Sequence, residues 1–255
     1  MVNQRDSEIA SALPFDLDAL PRLRGFRLRG MQATRLETFI DAAFAFAISM
    51  LVIAAQQIPD DVASLLAAFR NVPTFICSIA VLGIFWRGHW LWSRRYGLED
   101  SVSILISWAM IVTILIFVYP LKAIFGAMWF LLSNGQIGQR LSTHTTEAQE
   151  RAIFAVYALG LIAISAEILL LNFRAWKLRQ PLRLNAREAL MTRGELTGWS
   201  IPMSMGVVSL ILSFTLPIEK IDWCGWVYFV MAILLRVQKF LHNRMLAKEA
   251  EVIGA

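Results

Sequence analysis

The sequence has few of the residues from which catalytic and metal sites are built. It contains three histidines and two cysteines among 255 residues, and none of them has the spacing of metal ligands. The motifs HExxH and GxSxG and the P-loop are also missing. These absences argue against an enzyme, and we expect no cofactor.

Charged residues are scarce as well. They make up 17% of the chain, whereas hydrophobic residues make up 57% and the mean hydropathy is +0.57. Soluble domains average about 45–50% apolar residues, so this excess indicates an integral membrane protein. The formal net charge is +5, but the basic residues fall in the loops between apolar runs. That distribution favours a topological role for them over a nucleic-acid partner.

The N-terminal segment does not have the apolar core that a signal peptide requires. We expect residues 1–33 to form a polar, basic cytoplasmic tail that precedes the first membrane helix. The two cysteines, Cys77 and Cys224, are expected to be unpaired thiols, although the sequence leaves a bridge between them open.

Six apolar runs predict an all-α membrane domain over residues 34–246, followed by a C-terminal tail at 247–255. An α-helix rises 1.5 Å per residue, so about 20 residues cross the roughly 30 Å hydrocarbon core of a bilayer. Residues 62–70 predict a short amphipathic connector. The predicted spans are residues 39–58, 72–92, 101–119, 152–173, 196–217 and 223–241.

Pro120 is expected to kink or end the third span, because proline disrupts the interior of a helix. The apolar residues 121–132 are too few to cross the bilayer again. They are therefore expected to form a bent continuation or an interfacial helix.

The positions of lysine and arginine predict the orientation. Of the 24 basic residues, eighteen fall in segments that would share one side of the membrane, five fall on the other side, and Arg87 lies within a span. Cytoplasmic loops carry an excess of lysine and arginine. We therefore expect a multi-pass protein of the cell membrane with both termini in the cytoplasm.

This orientation would place ionisable residues from three spans in one half of the membrane. Asp41 lies near the start of the first span, and Arg87 and His89 lie near the end of the second. Glu167 lies in the cytoplasmic half of the fourth. Charges in a medium of low dielectric constant need partners, so we expect these side chains and Arg35 to form a polar layer that fastens the helices together.

Within the first span, residues that recur with the helical period share one face. Two interpretations of this face are open. It is a buried packing stripe, with the Ser49 hydroxyl bonded to the carbonyl of residue 45, or it lines a narrow oligomeric pore with hydrophobic constrictions around a hydroxyl ring. The residues of the face are Ala42, Phe46, Ser49, Ile53 and Gln56 or Gln57.

The start of the first span resembles a known signature. Residues 35–41, RLETFID, resemble the RxxxFSD motif that opens the first helix of the transmembrane protein 175 family of potassium channels, and the apolar continuation is similar too. Residues 85–89, FWRGH, are similar to the family's aromatic-Trp-x-x-His segment. Residues 118–120, VYP, are similar to its aromatic-proline ending. The sequence departs from the signature at Ile40, where the family has serine.

The resemblance implies a homotetramer with six helices per subunit, in which the first helices line a central potassium pore. Such a pore has no carbonyl filter, and this sequence has no TVGYG-like stretch. By position, Phe46 would form the constriction, Ser49 would contribute to selectivity, and Ile53 would lie one turn further out. The partners would be other copies of the chain and the lipid bilayer, with potassium as the permeant ion. The signature residues would tie the first helix to its neighbours: Arg35, Phe39 and Asp41.

Two other functions remain open at this point. An ion-coupled secondary transporter could use Glu167 as a proton site, although such proteins typically show internal repeats and helices broken near the midplane. A non-conducting structural membrane protein is compatible with Phe46, which is bulkier than the aliphatic residue of the family.

Overall fold

The protein is described from a computed structural model, which covers residues 17–53, 61–138 and 146–254. The prediction of an all-α membrane fold is confirmed, because six of its helices are long and apolar enough to cross a bilayer. A short helix of eight residues, Val62–Phe69, precedes the second of them. The helices are α1 (Arg35–Ile53), α2 (Val62–Phe69), α3 (Val72–Tyr96), α4 (Ser101–Leu132), α5 (Glu147–Lys177), α6 (Ala186–Thr215) and α7 (Trp223–Gly254).

The third spanning helix is longer than the sequence predicted. Helix α4 is a single helix of 32 residues with Pro120 inside it, so it is about 48 Å long at 1.5 Å per residue. Residues 121–132 therefore continue this helix, which is one of the two alternatives expected for them, and the span does not end at Tyr119. Proline is tolerated inside membrane helices because neighbouring groups satisfy the backbone groups that it frees.

One other predicted boundary differs from the structure. Residues 247–254, predicted as the start of a C-terminal tail, continue α7 as helix, because alanine, glutamate and lysine are good helix formers. The predicted end of the first span, at residues 54–58, lies outside the described residues. Cys77 and Cys224 are both free thiols.

The main hydrophobic core lies between α1, α3, α4 and α5. It is built from aliphatic and aromatic side chains that are almost completely removed from solvent, such as Ile40, Leu82, Ile114 and Ile164. Helix α7 contributes little to it, since most of its large apolar residues are exposed in the single subunit. The exposed apolar surface of α7 is therefore available to contact lipid or another subunit.

The segment before α1 is folded rather than a plain tail. Residues Arg22–Leu23 form strand β1, which pairs antiparallel with strand β2, Phe26–Arg27. The two residues of the turn, Arg24 and Gly25, have φ values of 54° and 86°. Positive φ at both central residues is the pattern of a type I′ hairpin, whose twist matches that of the paired strands. We call residues 17–31 the N-terminal clamp.

The N-terminal clamp packs on one end of the helix bundle, which we call the basic end. This end comprises the C-terminal ends of α3 and α5 and the N-terminal ends of α4 and α6. Phe26 is completely buried there, with its ring edge-on to Tyr96 at 5.5 Å between centroids. The Gly30 amide donates to the carbonyl of Arg94. A hydrophobic anchor and backbone bonds thus hold the clamp against α3.

Candidate functional site

Helix α1 has one face that packs inside the subunit. Its buried residues recur every three or four positions, which places them on one side of a helix with 3.6 residues per turn. They meet the core helices α3 and α4 and position α1 along its whole length. The buried residues are Glu37, Ile40, Phe44, Ala47 and Leu51.

The opposite face of α1 has no partner within the described residues of the subunit. Phe46 is 56% exposed and Ile53 is 74% exposed, and Ala42 and Ser49 are exposed too. At about 100° per residue, the centre of this set lies about 170° from the centre of the buried stripe. We call these four residues the open face of α1. It is not a packing stripe of the subunit itself.

The Ser49 hydroxyl lies in the middle of the open face. Its Oγ donates a hydrogen bond to the Ala45 carbonyl, with 3.1 Å between the oxygens, which is the back-bond expected for serine inside a helix. The donated proton fixes the rotamer of the hydroxyl and leaves the oxygen lone pairs available as acceptors. The open face therefore presents one oxygen between two bulky apolar side chains.

The start of α1 is attached to its neighbours by two of the predicted residues. The Trp86 indole Nε1 on α3 donates to Asp41 Oδ1 at 2.8 Å. Phe39 packs against Trp108 of α4, with 5.1 Å between the ring centroids. Asp41 and Phe39 thus tie α1 to two different helices.

Two other predicted residues make polar contacts to α4. His89 of α3 is 2% exposed, and its Nε2 lies 3.2 Å from Ser107 Oγ. Thr113 Oγ1 donates to Glu167 Oε1 of α5 at 2.6 Å. Hydroxyl groups on α4 therefore supply partners to ionisable side chains on both of its neighbours.

The predicted polar layer is not one connected network within the part of the chain that the structure describes. There, Arg35 and Arg87 are exposed and make no ion pair. The hydrogen bonds that Asp41, His89 and Glu167 make are to tryptophan, serine and threonine side chains instead of opposite charges. Local hydroxyl and indole groups take the place of the predicted ion pairs at these three residues.

The basic end contains a charge cluster that sequence reasoning missed. Glu188, completely buried near the start of α6, forms ion pairs with Arg27 at 2.9 Å and with Arg29 at 2.8 Å. The hydrogen bond to Glu188 raises the pKa of Arg27, so this guanidinium stays charged. Glu188 also caps α6, because its Oε2 accepts from the Asn185 amide. We call Glu188, Arg27 and Arg29 the clamp cluster.

A local sequence signal could have located part of this cluster. Asn185 followed three residues later by Glu188 is a helix-start pattern, in which each side chain bonds the backbone amide of the other. Both bonds are present. The arginine partners had no such signal, because they lie about 160 residues away in the chain.

The residue that anchors the start of α1 through charge is also different from the predicted one. Glu37 is 2% exposed and pairs with Arg94 of α3 at 3.1 Å. Arg35, which the signature suggested for this role, points to solvent in the single subunit. Within the described ranges, no group of histidine, cysteine, aspartate and glutamate residues could hold a metal ion.

Comparison with known proteins identifies the arrangement. A family model described as endosomal/lysosomal potassium channel TMEM175 matches residues 35–120, a range that runs from the start of α1 to Pro120. A protein named potassium channel, from Marivirga tractuosa, is 31% identical over 234 residues, which cover 87% of this chain and 94% of that protein.

A solved structure agrees with the sequence match. The crystal structure of a variant of the potassium channel MtTMEM175, in complex with a nanobody-MBP fusion protein, matches with a TM-score of 0.76 and 28% identity. The match covers 88% of this chain and 100% of that chain. Since the fold and the sequence agree over nearly the whole length, this chain belongs to the TMEM175 family of potassium channels.

Proposed function

We propose that this protein is a potassium-selective channel of the cell membrane, in which four identical subunits surround a central pore. Helix α1 of each subunit lines that pore with its open face. The orientation is the one predicted from the basic residues, with both termini in the cytoplasm. Conduction needs no cofactor beyond the permeant potassium ion.

The observation that carries this proposal is the open face of α1. The opposite side of the helix is buried against α3 and α4, so α1 is held in a fixed position while the open face points away from the subunit core. Ser49 lies in the middle of this face. A lipid-facing stripe gains nothing from a hydroxyl group, whereas a pore lining uses one as a ligand.

In a four-fold assembly, the residues of the open face would form rings around the axis. Four Phe46 side chains would make a hydrophobic constriction, which gates ions by excluding water. Four Ser49 oxygens would lie one turn away, where they replace part of the hydration shell of a potassium ion. Ile53 would form a second apolar ring. The order of these rings provides a constriction beside an oxygen site.

Liposome flux tests the proposed function directly. Purified protein in liposomes is expected to release potassium faster than empty liposomes do, and to pass potassium at least about tenfold faster than sodium, the equivalent of about 1.4 kcal/mol of discrimination. The controls are empty liposomes and liposomes treated with a potassium ionophore, which show that the vesicles are sealed. Conduction is refuted if neither wild type nor Phe46→Ala leaks potassium above the empty vesicles.

One observation supports a transporter as the second candidate. Glu167 Oε2 is buried and has no hydrogen-bond partner among the described residues, which suits a site that binds and releases a proton. A proton-coupled transporter would show ion uptake driven by a pH gradient and lost in Glu167→Gln. A channel would show flux that follows the potassium gradient alone in both proteins.

Asp41→Asn is expected to weaken folding or assembly rather than the selectivity of the channel. The substitution keeps an oxygen that accepts from Trp86 Nε1 but removes the charge, which lowers the contribution of this bond by about 1 kcal/mol. The thermal midpoint of the tetramer on size exclusion should fall while the potassium-to-sodium flux ratio stays unchanged. An altered ratio with an unchanged tetramer would assign Asp41 to the pore instead.

A further inference from the structure

A large cavity opens at the basic end, away from the open face of α1. Its volume is about 880 Å³, and it lies between α3, α6, α7 and the hairpin of the N-terminal clamp. This is within the size range of sites that bind small organic molecules, about 300–1,000 Å³. Gln238 of α7 closes one side of it by donating to the Gly194 carbonyl of α6 at 2.9 Å.

The cavity is strongly basic. Five of its lining residues are cationic, whereas one carboxylate, Glu195, lines it and is already paired with Arg95 at 2.7 Å. Cations gathered without counter-charges repel one another, and a bound anion removes that cost. The cationic residues are Arg24, Arg87, Arg95, Arg187 and Lys239.

Two guanidinium donors in this cavity are buried without an acceptor. The Nε atoms of Arg95 and Arg187 have no hydrogen-bond partner among the residues that the structure describes. Buried donors are normally satisfied, and each one left unpaired costs free energy. The guanidinium groups that carry these atoms line the cavity, and a phosphate group that enters it offers several charged oxygens for arginine.

One part of the cavity has an apolar character that a site for a free ion would not need. Ile84, Trp199 and Leu235 line it. Ile84 lies twelve residues from the C-terminal end of α3 and Trp199 lies thirteen residues from the N-terminal end of α6, which is about 18–20 Å of helix. The five cations lie on the basic-end side of these apolar side chains, with Arg87 and Lys239 one helical turn from Ile84 and Leu235. The cavity therefore changes from charged to apolar along the direction of the helices.

We propose that this cavity binds an anionic phospholipid. The phosphate group sits among the cations at the basic end, and an acyl chain runs along Ile84, Trp199 and Leu235 between α3, α6 and α7. Basic pockets between membrane helices hold anionic lipid headgroups by the same combination of charge and apolar contact. The site is separate from the open face of α1, so the proposal does not depend on ion conduction.

Thermal unfolding of the detergent-purified full chain tests this assignment. Phosphatidylglycerol is expected to raise the Tm in a saturable way, whereas phosphatidylcholine and inorganic phosphate at the same concentrations are not. In the double variant Arg187→Gln/Lys239→Gln, the half-saturating phosphatidylglycerol concentration should rise about fivefold for each removed charge, or about 25-fold in total. Native mass spectrometry should show fewer retained phosphatidylglycerol molecules on this variant.

The matched control removes two charges from α7 outside the cavity. Arg236→Gln/Arg244→Gln has the same net charge as the cavity variant, and both residues are exposed, so its half-saturating concentration should equal that of wild type. If the double cavity variant does not fold, two single variants are compared instead: Lys239→Gln in the cavity and Arg244→Gln as its control. Both side chains lie at the surface. The single cavity variant should then show the fivefold rise alone.

Three results would overturn the proposal. If phosphatidylcholine raised the Tm by the same amount, the effect would come from apolar contacts over the whole membrane-facing surface of the protein. Equal stabilisation by inorganic phosphate would show that the cavity takes a free anion rather than a lipid. Equal losses in the cavity and control variants would show that the lipid responds only to surface charge.

Discussion

Replacing Glu188 with glutamine is expected to destabilise the protein by about 3–5 kcal/mol, the effect of removing one partner from a buried ion pair. The clamp cluster joins the N-terminal clamp to α6, so its loss should release the clamp from the basic end. The measurement is the thermal midpoint of the purified protein in detergent, followed by size exclusion. A fall of many degrees is expected in Glu188→Gln.

The physical reason is the number of donors that this carboxylate satisfies. Its Oε1 accepts from the Arg27 amide at 2.9 Å and from Arg27 Nε at 3.0 Å. Its Oε2 accepts from Nη2 of Arg27 at 2.9 Å and of Arg29 at 2.8 Å. Glutamine would keep one oxygen but turn a donating NH2 group toward the guanidinium donors. Arg29 would lose its counter-charge, and Arg27 would keep only the exposed Asp18 at 3.6 Å.

A second carboxylate, Asp18, provides the control, because it also pairs with Arg27 but is itself exposed at the surface. Asp18 lies 3.6 Å from Arg27 and its side chain is 79% exposed. Solvent screens such pairs, so Asp18→Asn should cost about 0.5 kcal/mol or less. Glu188→Gln/Arg29→Gln should recover part of the lost stability, since it removes one unpaired charge. Equal effects of Glu188→Gln and Asp18→Asn would contradict the assigned role.

The spanning helices could be predicted from sequence because their signal is local. A run of about 20 apolar residues is enough to identify a membrane helix, whatever packs against it. The errors fell at positions where local rules have exceptions, as at Pro120. Residues 247–254 were predicted to belong to a C-terminal tail, but they continue α7, because the end of an apolar run does not by itself end a helix.

The polar supports could be predicted only in part, because partners are set by tertiary packing. Asp41 and His89 stood out as costly groups inside apolar runs, but nothing in the sequence indicated that Trp86 and Ser107 would satisfy them. The clamp cluster was missed for the same reason. Helical periodicity did place Phe46 and Ser49 on one face, and that face is exposed in the subunit. Its role in conduction stays a prediction.

Phe46→Ala is expected to raise potassium flux in liposomes by about tenfold or more, which corresponds to a barrier lowered by about 1.4 kcal/mol. A ring of four phenyl groups excludes water from the narrowest point of the proposed pore, and alanine would let ions pass with more of their hydration shell. For the same reason, the preference for potassium over sodium should fall. The measurement is initial flux of each ion at equal protein density.

The fold should not change in this variant, because Phe46 is 56% exposed and lies opposite the buried stripe of α1. Its elution volume and thermal midpoint should therefore match those of wild type. Val52→Ala is the matched control. Val52 is 55% exposed, but it lies about 90° around the helix from the centre of the open face. Its flux should stay close to that of wild type.

The pair of variants separates a pore lining from a surface that only meets lipid. Exposure is equal at the two positions, so loss of a lipid contact would affect both variants alike. A pore lining predicts a response at Phe46 and none at Val52, because only one of them would face the four-fold axis. If both variants and wild type passed potassium at the same rate, another ring of residues on α1 would have to form the constriction. Ile53 would then be the next residue to test, since it belongs to the same face and is the most exposed of its large apolar residues.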